Sequence, residues 1–276
     1  MLSFVEDFFE DLAKDAIKQI NKWLIDLLDI SLNCQDYMGN HLNLKGIDFA
    51  KINSVILKYA IALLILKFVT KGFSIYILQS DGDPDHDPLT LLTGFFQSVA
   101  IAVTFYSLYG KIIDIFKAFA KELLKAMGSD GEIQTIKTSL INSLLGQGIT
   151  TILLVIVLVV LFAVLYVKLI MNGGELMVLR FAIPILSVGF LDADGGTAKV
   201  AAKKFLQVAF TNTVQIILLR LSVALLLTLH PIWAIAVTGL AFRVPNLMQE
   251  FLFVRSGGGG AFNKLNTLAN LKRLFT

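Results

Sequence analysis

Residues 146–167 read GQGITTILLVIVLVVLFAVLYV and carry no charged side chain. A run of about 20 apolar residues is long enough, at about 1.5 Å per residue in a helix, to cross a hydrocarbon layer of about 30 Å. The whole chain agrees with this local signal, because 56% of its 276 residues are hydrophobic, only 16% are charged and its mean hydropathy is +0.74. So few polar residues cannot cover the surface of a water-soluble protein. The sequence therefore predicts an all-α, polytopic membrane protein built as a helical bundle.

Apolar stretches of similar character recur on both sides of this run and divide the chain into three regions. Residues 1–52 form an amphipathic region, which predicts a helix that lies along the membrane interface or packs on a neighbouring helix. Residues 53–254 form the transmembrane region, and residues 255–276 form a glycine-rich basic tail. We predict five to six spans and interfacial helices, with spans near residues 54–78, 89–109, 149–171, 176–191, 205–229 and 232–254 and an amphipathic connector at 110–148.

The segment 176–191 is short for a span, so it either crosses the membrane or re-enters on the same side. With six spans and a cytoplasmic N-terminus, most lysine and arginine residues fall on the inside, as the positive-inside rule requires. Five spans with an external N-terminus distribute these residues almost evenly and gain no support from the rule. We therefore expect six spans, with residues 81–87 outside and residues 192–204 inside. Both arrangements leave the C-terminus inside.

A polar loop, SDGDPDHDP at residues 80–88, separates the first two predicted spans. An EF-hand that starts at Asp81 would need glycine at its sixth position and glutamate at its twelfth, where this chain has His86 and Leu92. Aspartate and proline immediately before an apolar run are typical of a helix N-terminus. We therefore expect the loop to cap the next helix, with partner docking and metal binding as the alternatives. The residues concerned are Asp81, Asp83, Asp85 and Asp87.

Three polar residues, Asn212, Gln215 and Arg220, lie on one broad side of the predicted span 205–229. An arginine at the centre of a bilayer costs at least about 2.5 kcal/mol by insertion scales unless it faces protein or water. This polar face therefore either joins one helix to another by hydrogen bonds or lines a channel. Lys67 is placed nearer a span end, where a lysine reaches the interface, so we assign it no function.

Catalytic, metal-binding and cofactor-binding motifs are not indicated by the sequence. It contains no G-x-x-x-x-G-K-[ST] pattern, and its three histidines are far apart. The single cysteine, Cys34, permits no internal disulfide. We therefore predict no enzyme activity, no metal site and no cofactor. Basic residues near the predicted cytoplasmic face are candidates for contact with lipid headgroups or nucleic-acid phosphates, namely Lys199, Lys203, Lys204, Lys264, Lys272 and Arg273.

The order and wording of several segments resemble a known family. These segments are SDGDPDHDPLTLL at 80–92, VLRFAIPILSVGFLDAD at 178–194, AAKKFLQVAFTNTVQIILLRLSVAL at 201–225 and FRVPNLMQEFLFVRSGGGG at 242–260. Together they are similar to the TrbL-like polytopic membrane proteins of conjugative type IV secretion systems in Gram-positive bacteria. The resemblance implies a subunit in the bacterial cytoplasmic (inner) membrane. The resemblance also implies that this subunit works beside ATPases and a coupling protein to pass relaxase-bound single-stranded DNA out of the donor.

The expected function is therefore that of a channel or scaffold subunit for DNA or protein translocation. Such a subunit contacts membrane lipids, associates with copies of itself and with the other secretion subunits, and transiently contacts the transferred DNA and relaxase. One alternative is a secondary transporter permease, favoured by the glycine-interrupted segments NGGE at 172–175 and DADGG at 192–196 but not by any two-fold repeat. Another alternative is a membrane scaffold without a conduit.

Overall fold

A computed structural model describes residues 23–41, 47–80, 88–127, 149–192, 196–228 and 230–253. All the regular elements in these ranges are helical, as the composition predicts. In chain order they are α1 (residues 23–32), α2 (Cys34–His41), α3 (Phe49–Ser80), α4 (Pro88–Ala126), α5 (Ile149–Leu186), a 3₁₀ turn (Ser187–Leu191), α6 (Gly196–Leu227) and α7 (Pro231–Phe253).

The five helices α3 to α7 are long and apolar enough to cross a membrane. The two longest are α4, with 39 residues, and α5, with 38 residues. The prediction of an all-α membrane bundle with five to six spans is therefore confirmed, with five helices able to span a membrane in the part of the chain that the structure describes.

Local signals explain where several helices begin. The carboxylate oxygen Oδ1 of Asp48 accepts hydrogen bonds from the backbone N–H groups of Ala50 at 3.0 Å and Lys51 at 3.1 Å. These bonds satisfy donors that have no partner within the first turn of α3. Helices α4 and α7 begin at Pro88 and Pro231, and proline suits a first turn because its missing N–H would have no helical acceptor there.

Helix α6 is the central element of the bundle and packs against α4, α5 and α7. Within its most apolar stretch 61% of residues are buried, compared with 11% in α3. The ring of Phe205 on α6 lies 5.2 Å from the ring of Tyr109 on α4, centroid to centroid. Most side chains in this stretch of α6 therefore face protein, whereas most side chains in the corresponding stretch of α3 face outward.

Helix α1 is packed inside the bundle. Leu27, Leu28 and Leu32 are each 1% exposed or less, and the hydroxyl of Tyr109 donates to the carbonyl oxygen of Leu32 at 3.3 Å. Of the two positions expected for the N-terminal amphipathic region, these residues adopt packing on neighbouring helices. Residues 1–22 of that region lie outside the described residues.

The sequence predicted a break between spans 149–171 and 176–191, but α5 runs without interruption from Ile149 to Leu186. The glycines at 173 and 174 suggested the break. A Cβ on Gly173 would lie 2.5 Å from the carbonyl oxygen of Ile30, so this glycine permits α1 to approach α5 closely. The helix changes to a 3₁₀ turn only after Pro184, which cannot donate the next helical hydrogen bond.

The predicted connector 110–148 also differs from the structure over its first half. Helix α4 continues through Gly110 to Ala126, so residues 110–126 extend the helix of the second span and do not form a separate element. The charged residues of this extension face α1 in part, because Lys117 Nζ lies 2.8 Å from Asp29 Oδ1. Residues 128–148 lie outside the described residues.

The expected six-span order does not fit the packing of the helix ends. It placed residues 81–87 and 192–204 on opposite sides of the membrane. In the structure Asp192 is bound to Lys71, near the end of α3, and a Cβ on Gly94, near the start of α4, would lie 2.7 Å from the carbonyl oxygen of Phe190. Asp192 therefore lies at the same end of the bundle as the end of α3 and the start of α4. Five spans produce this arrangement because α5 is a single helix.

Candidate functional site

The buried polar face of α6 contains the first of the predicted site residues. Asn212 Oδ1 accepts a hydrogen bond from Asn172 Nδ2 on α5 at 2.9 Å, and Asn212 Nδ2 donates to the carbonyl oxygen of Ser31 on α1 at 2.7 Å. Asn212 and Ser31 are 0% exposed. One fully buried amide side chain therefore joins α6 to both α1 and α5.

Gln215, one turn further along α6, extends this layer to α7. Its Oε1 accepts from Asn172 Nδ2 at 3.3 Å, and its Nε2 donates to the carbonyl oxygen of Ala241 at 2.9 Å. In a regular helix that carbonyl would accept from the backbone N–H of residue 245, but residue 245 is proline. Gln215 therefore satisfies the carbonyl oxygen that Pro245 leaves without its helical donor.

A second pair of hydroxyl groups joins α6 to α7. The hydroxyl oxygens of Ser222 and Thr238 are 2.7 Å apart, and both hydroxyls lie 2.8 Å from the carbonyl oxygen of Ala234. Short polar side chains let two helices approach closely and hydrogen-bond within a membrane. With the amide layer, this pair fixes the register of α7 against α6.

Arg220, the third residue of the predicted polar face, is 1% exposed. All three residues of that face are therefore enclosed by the described part of a single protomer. The hydrogen bonds of Asn212 and Gln215 agree with the helix-joining interpretation. Channel lining by the three residues stays a prediction, since each of them is 1% exposed or less within the described part of the chain.

Arg180 is a buried charged residue that the sequence analysis did not select. Its guanidinium carbon lies 4.3 Å from the ring centroid of Tyr106 and 4.6 Å from that of Tyr109, and the residue is 6% exposed. Its Nη1 lies 3.8 Å from Asp36 Oδ1. An arginine inside an apolar segment was the available signal, but its aromatic partners come from a distant part of the chain.

Two lysines of α3 form a charged cluster with Asp192 at the end of the 3₁₀ turn. Lys67 Nζ lies 2.8 Å from Asp192 Oδ2, and Lys71 Nζ lies 2.6 Å from Oδ1. Lys71 also donates to the carbonyl oxygen of Leu191 at 2.9 Å. Hydrogen bonds from the two lysines, of which that from Lys67 has the larger effect, lower the pKa of Asp192 below its ordinary value. Lys67 therefore has a structural partner, which its position near a span end had not suggested.

The basic residues predicted to contact phosphates are only partly described. Lys199 and Lys203 are exposed at the start of α6, whereas Lys204 Nζ lies 3.1 Å from Glu175 Oε1. The remaining predicted residues lie outside the described residues, namely Lys264, Lys272 and Arg273, together with Asp81, Asp83, Asp85 and Asp87. Their proposed contacts stay predictions.

Titratable side chains in the described ranges do not converge on a reactive centre. No group of three or more histidine, cysteine, aspartate or glutamate residues there could hold a metal ion. The arrangement can instead hold helices in a fixed register through buried amides and hydroxyls, and it presents a large apolar exterior.

Comparison with known families gives this arrangement a biological context. A family model described as conjugal transfer protein TrbL matches residues 1–276. The chain belongs to this family. The resemblance found in the sequence is therefore confirmed, and this TrbL-family chain is a component of conjugal transfer by type IV secretion. With its five apolar helices, it is a multi-pass membrane protein. Searches of curated proteins and of solved structures gave no match to the chain.

Proposed function

We propose that this protein is a wall or scaffold subunit of the conjugative translocation path in the cytoplasmic membrane of a Gram-positive donor. The observation that carries the proposal is the closed core of the protomer. Asn212 and Gln215 are 0% exposed, and their amides are used in hydrogen bonds between helices. Because these groups hold helices together, a path for a polyanion lies between copies or between this chain and other subunits.

The exterior of α5 supports association or lipid contact over a long surface. Its N-terminal half carries apolar side chains that are exposed in the single protomer, including Ile156 at 59%, Val160 at 56% and Val164 at 52%. Exposed apolar surface on this scale is typical of contact with lipid or with other protein chains. The proposed partners are membrane lipids, further copies of this chain, the ATPases and coupling protein, and transiently the relaxase with its single-stranded DNA.

The permease alternative loses one of its two supports. It rested in part on an interruption at the glycines of NGGE, yet α5 is continuous through residues 172–175. Discontinuous helices supply the ion and substrate sites in many secondary transporters. A subunit of a larger assembly requires no such site within one protomer.

Deletion of the gene in a conjugative donor tests the proposed process. DNA transfer should be abolished, whereas relaxase nicking of the plasmid should continue, since the described side chains provide no centre for catalysis on DNA. Complementation with the intact gene is the control. Undiminished transfer, or loss of nicking together with transfer, would contradict the proposed role.

The position of the conduit is tested with two cysteine variants in a Cys34→Ser background. Thr213 on α6 is 0% exposed, whereas Thr228 at the end of α6 is exposed. A small methanethiosulfonate reagent should label Thr228→Cys in native membranes and leave Thr213→Cys unlabelled. Rapid labelling at position 213 would show water inside each protomer and would favour a channel through the bundle.

A further inference from the structure

A cavity of about 300 Å³ lies between α3, α4 and α5. Its walls are mainly apolar, but Arg180 lines one side and Asn53 another. Among the described residues, Nε and Nη1 of Arg180 and Nδ2 of Asn53 are buried without a hydrogen-bond partner. A buried guanidinium with unused donors is costly, so the cavity is suited to a ligand that accepts hydrogen bonds and carries negative charge.

The surroundings of Arg180 leave these donors available. The side chain is 5% exposed, and its distance of 3.8 Å from Asp36 is too long for a hydrogen bond. Tyr106 and Tyr109 contact the guanidinium through their ring faces, which leaves the N–H donors in its plane free. An anion bound beside Arg180 would therefore supply acceptors for donors that the described residues leave unpaired.

The cavity lies at the end of a predicted span, where phospholipid headgroups are found. Ser54, the first residue of the predicted span 54–78, lines the cavity, while Lys51, one turn earlier, has a side chain that is 85% exposed. Outward from the cavity, α3 presents apolar side chains, including Val55 at 53% and Leu63 at 46% exposed. A cavity that contains hydrogen-bond donors, next to an exposed apolar helix face, matches the two parts of a phospholipid.

We infer that this cavity binds the phosphate of a membrane phospholipid, with Arg180 and Asn53 as donors and the acyl chains along the outer face of α3. The guanidinium donates charge-assisted hydrogen bonds to the phosphate oxygens, and the Asn53 amide adds a neutral one. The exposed apolar face of α3 beside the cavity favours a lipid over a free anion, because only the lipid covers that face. Lipid bound here ties α3 to α4 and α5 at one membrane face.

Native mass spectrometry of the purified protein, titrated with phosphatidylglycerol in detergent, measures this binding. Arg180→Gln should weaken phosphatidylglycerol binding by about ten- to a hundredfold, as expected for loss of a charged donor from a buried site. Arg243→Gln is the matched control, because Arg243 is exposed on α7 and outside the cavity. Equal binding by the two variants would overturn the inference.

Two further measurements distinguish a lipid phosphate from a free phosphate ion and provide a test if Arg180→Gln misfolds. Diacylglycerol with the same acyl chains should bind weakly, and inorganic phosphate should not displace phosphatidylglycerol; displacement would indicate a free-anion site and overturn the lipid assignment. Ser54→Phe leaves Arg180 in place but fills the mouth of the cavity from an exposed position on α3. If Arg180→Gln fails to assemble, Ser54→Phe decides, since unchanged phosphatidylglycerol binding by that variant would contradict the site.

Discussion

Replacement of Gln215 by methionine tests whether this residue stabilises the helix distorted by Pro245. Methionine has a similar length but no amide, so the substitution removes the hydrogen bond of 2.9 Å to the carbonyl oxygen of Ala241. Both residues are 0% exposed, and water cannot replace the lost donor. The same substitution is then made in a Pro245→Ala background, where the backbone N–H of residue 245 can donate to that carbonyl.

The expected magnitude follows from the burial of the carbonyl. Stranding a buried acceptor costs about 1–3 kcal/mol, whereas hydrogen bonds between membrane helices average about 0.6 kcal/mol and reach about 1.7 kcal/mol. We expect Gln215→Met to lower the free energy of unfolding by about 1–2 kcal/mol in the natural chain and by about 1 kcal/mol less in the Pro245→Ala background. The weaker contact with Asn172 is lost in both backgrounds and cancels in the comparison.

Reversible unfolding in mixed detergent micelles, followed by circular dichroism, supplies the four free energies of this double-mutant cycle. The two single variants and the double variant are compared with the natural chain at equal micelle composition. If Gln215→Met costs the same in both backgrounds, Gln215 does not compensate for Pro245. The closed-core argument for a path outside the protomer would then lose its main residue-level support.

Three other predictions concern the packing of α5, the charged cluster at Asp192 and the order of the spans. Gly173→Ala should lower the free energy of unfolding by about 1–3 kcal/mol, because its Cβ would meet the Ile30 carbonyl oxygen at 2.5 Å. Gly174→Ala, with nothing within 4 Å, should be neutral or stabilising, and equal losses would refute the close approach of α1. Since the pKa of Asp192 is lowered from 3.8, its pairing stabilises the protein above that pH and is lost as pH falls through the lowered value. Asp192→Asn should therefore lower the Tm slightly at pH 7, and the loss in the free energy of unfolding should be no more than about 1 kcal/mol because the carboxylate is partly exposed. Below about pH 5 the Tm of this variant should fall less than that of the natural chain. If the Tm of the variant and of the natural chain changed with pH in parallel, the stabilising role of the charged cluster would be contradicted. The order of the spans is tested in a Cys34→Ser background with an impermeant thiol reagent on intact cells. Thr90→Cys and Thr197→Cys should either both be labelled or both stay unlabelled, and Ala126→Cys and Thr228→Cys should both show the opposite result. Six spans would instead pair position 90 with 228 and position 126 with 197.

The class of the fold could be read from the sequence because membrane crossing imposes a strong local requirement. A run such as residues 146–167 has few alternatives to a helix in hydrocarbon, and Pro88 marks a helix start as expected. The break at residues 172–175 was wrongly placed because glycine has two uses. It can end a helix or permit close packing, and only the position of α1 decides which one applies to Gly173.

The buried polar residues could be predicted in part for the same reason. Asn212 and Gln215 stand out because amides are costly in hydrocarbon without a partner, but their partners, Ser31 and Ala241, contribute backbone oxygens that every residue possesses. Arg180 was not selected from the sequence. Its contacts with Tyr106 and Asp36 join segments separated by more than a whole span, so no local pattern contains them.

The lengths of α4 and α5 have a mechanical consequence. A helix of 39 residues is about 58 Å long, which is nearly twice the hydrocarbon thickness of about 30 Å. To lie wholly within that layer it would have to tilt by about 59°, beyond the range of up to about 40° found for membrane helices. Even at the largest of those tilts, about 20 Å of α4 stands clear of the hydrocarbon. Each long helix is thus a lever, and a partner that pulls on its projecting arm can tilt the part of the same helix that lies in the membrane.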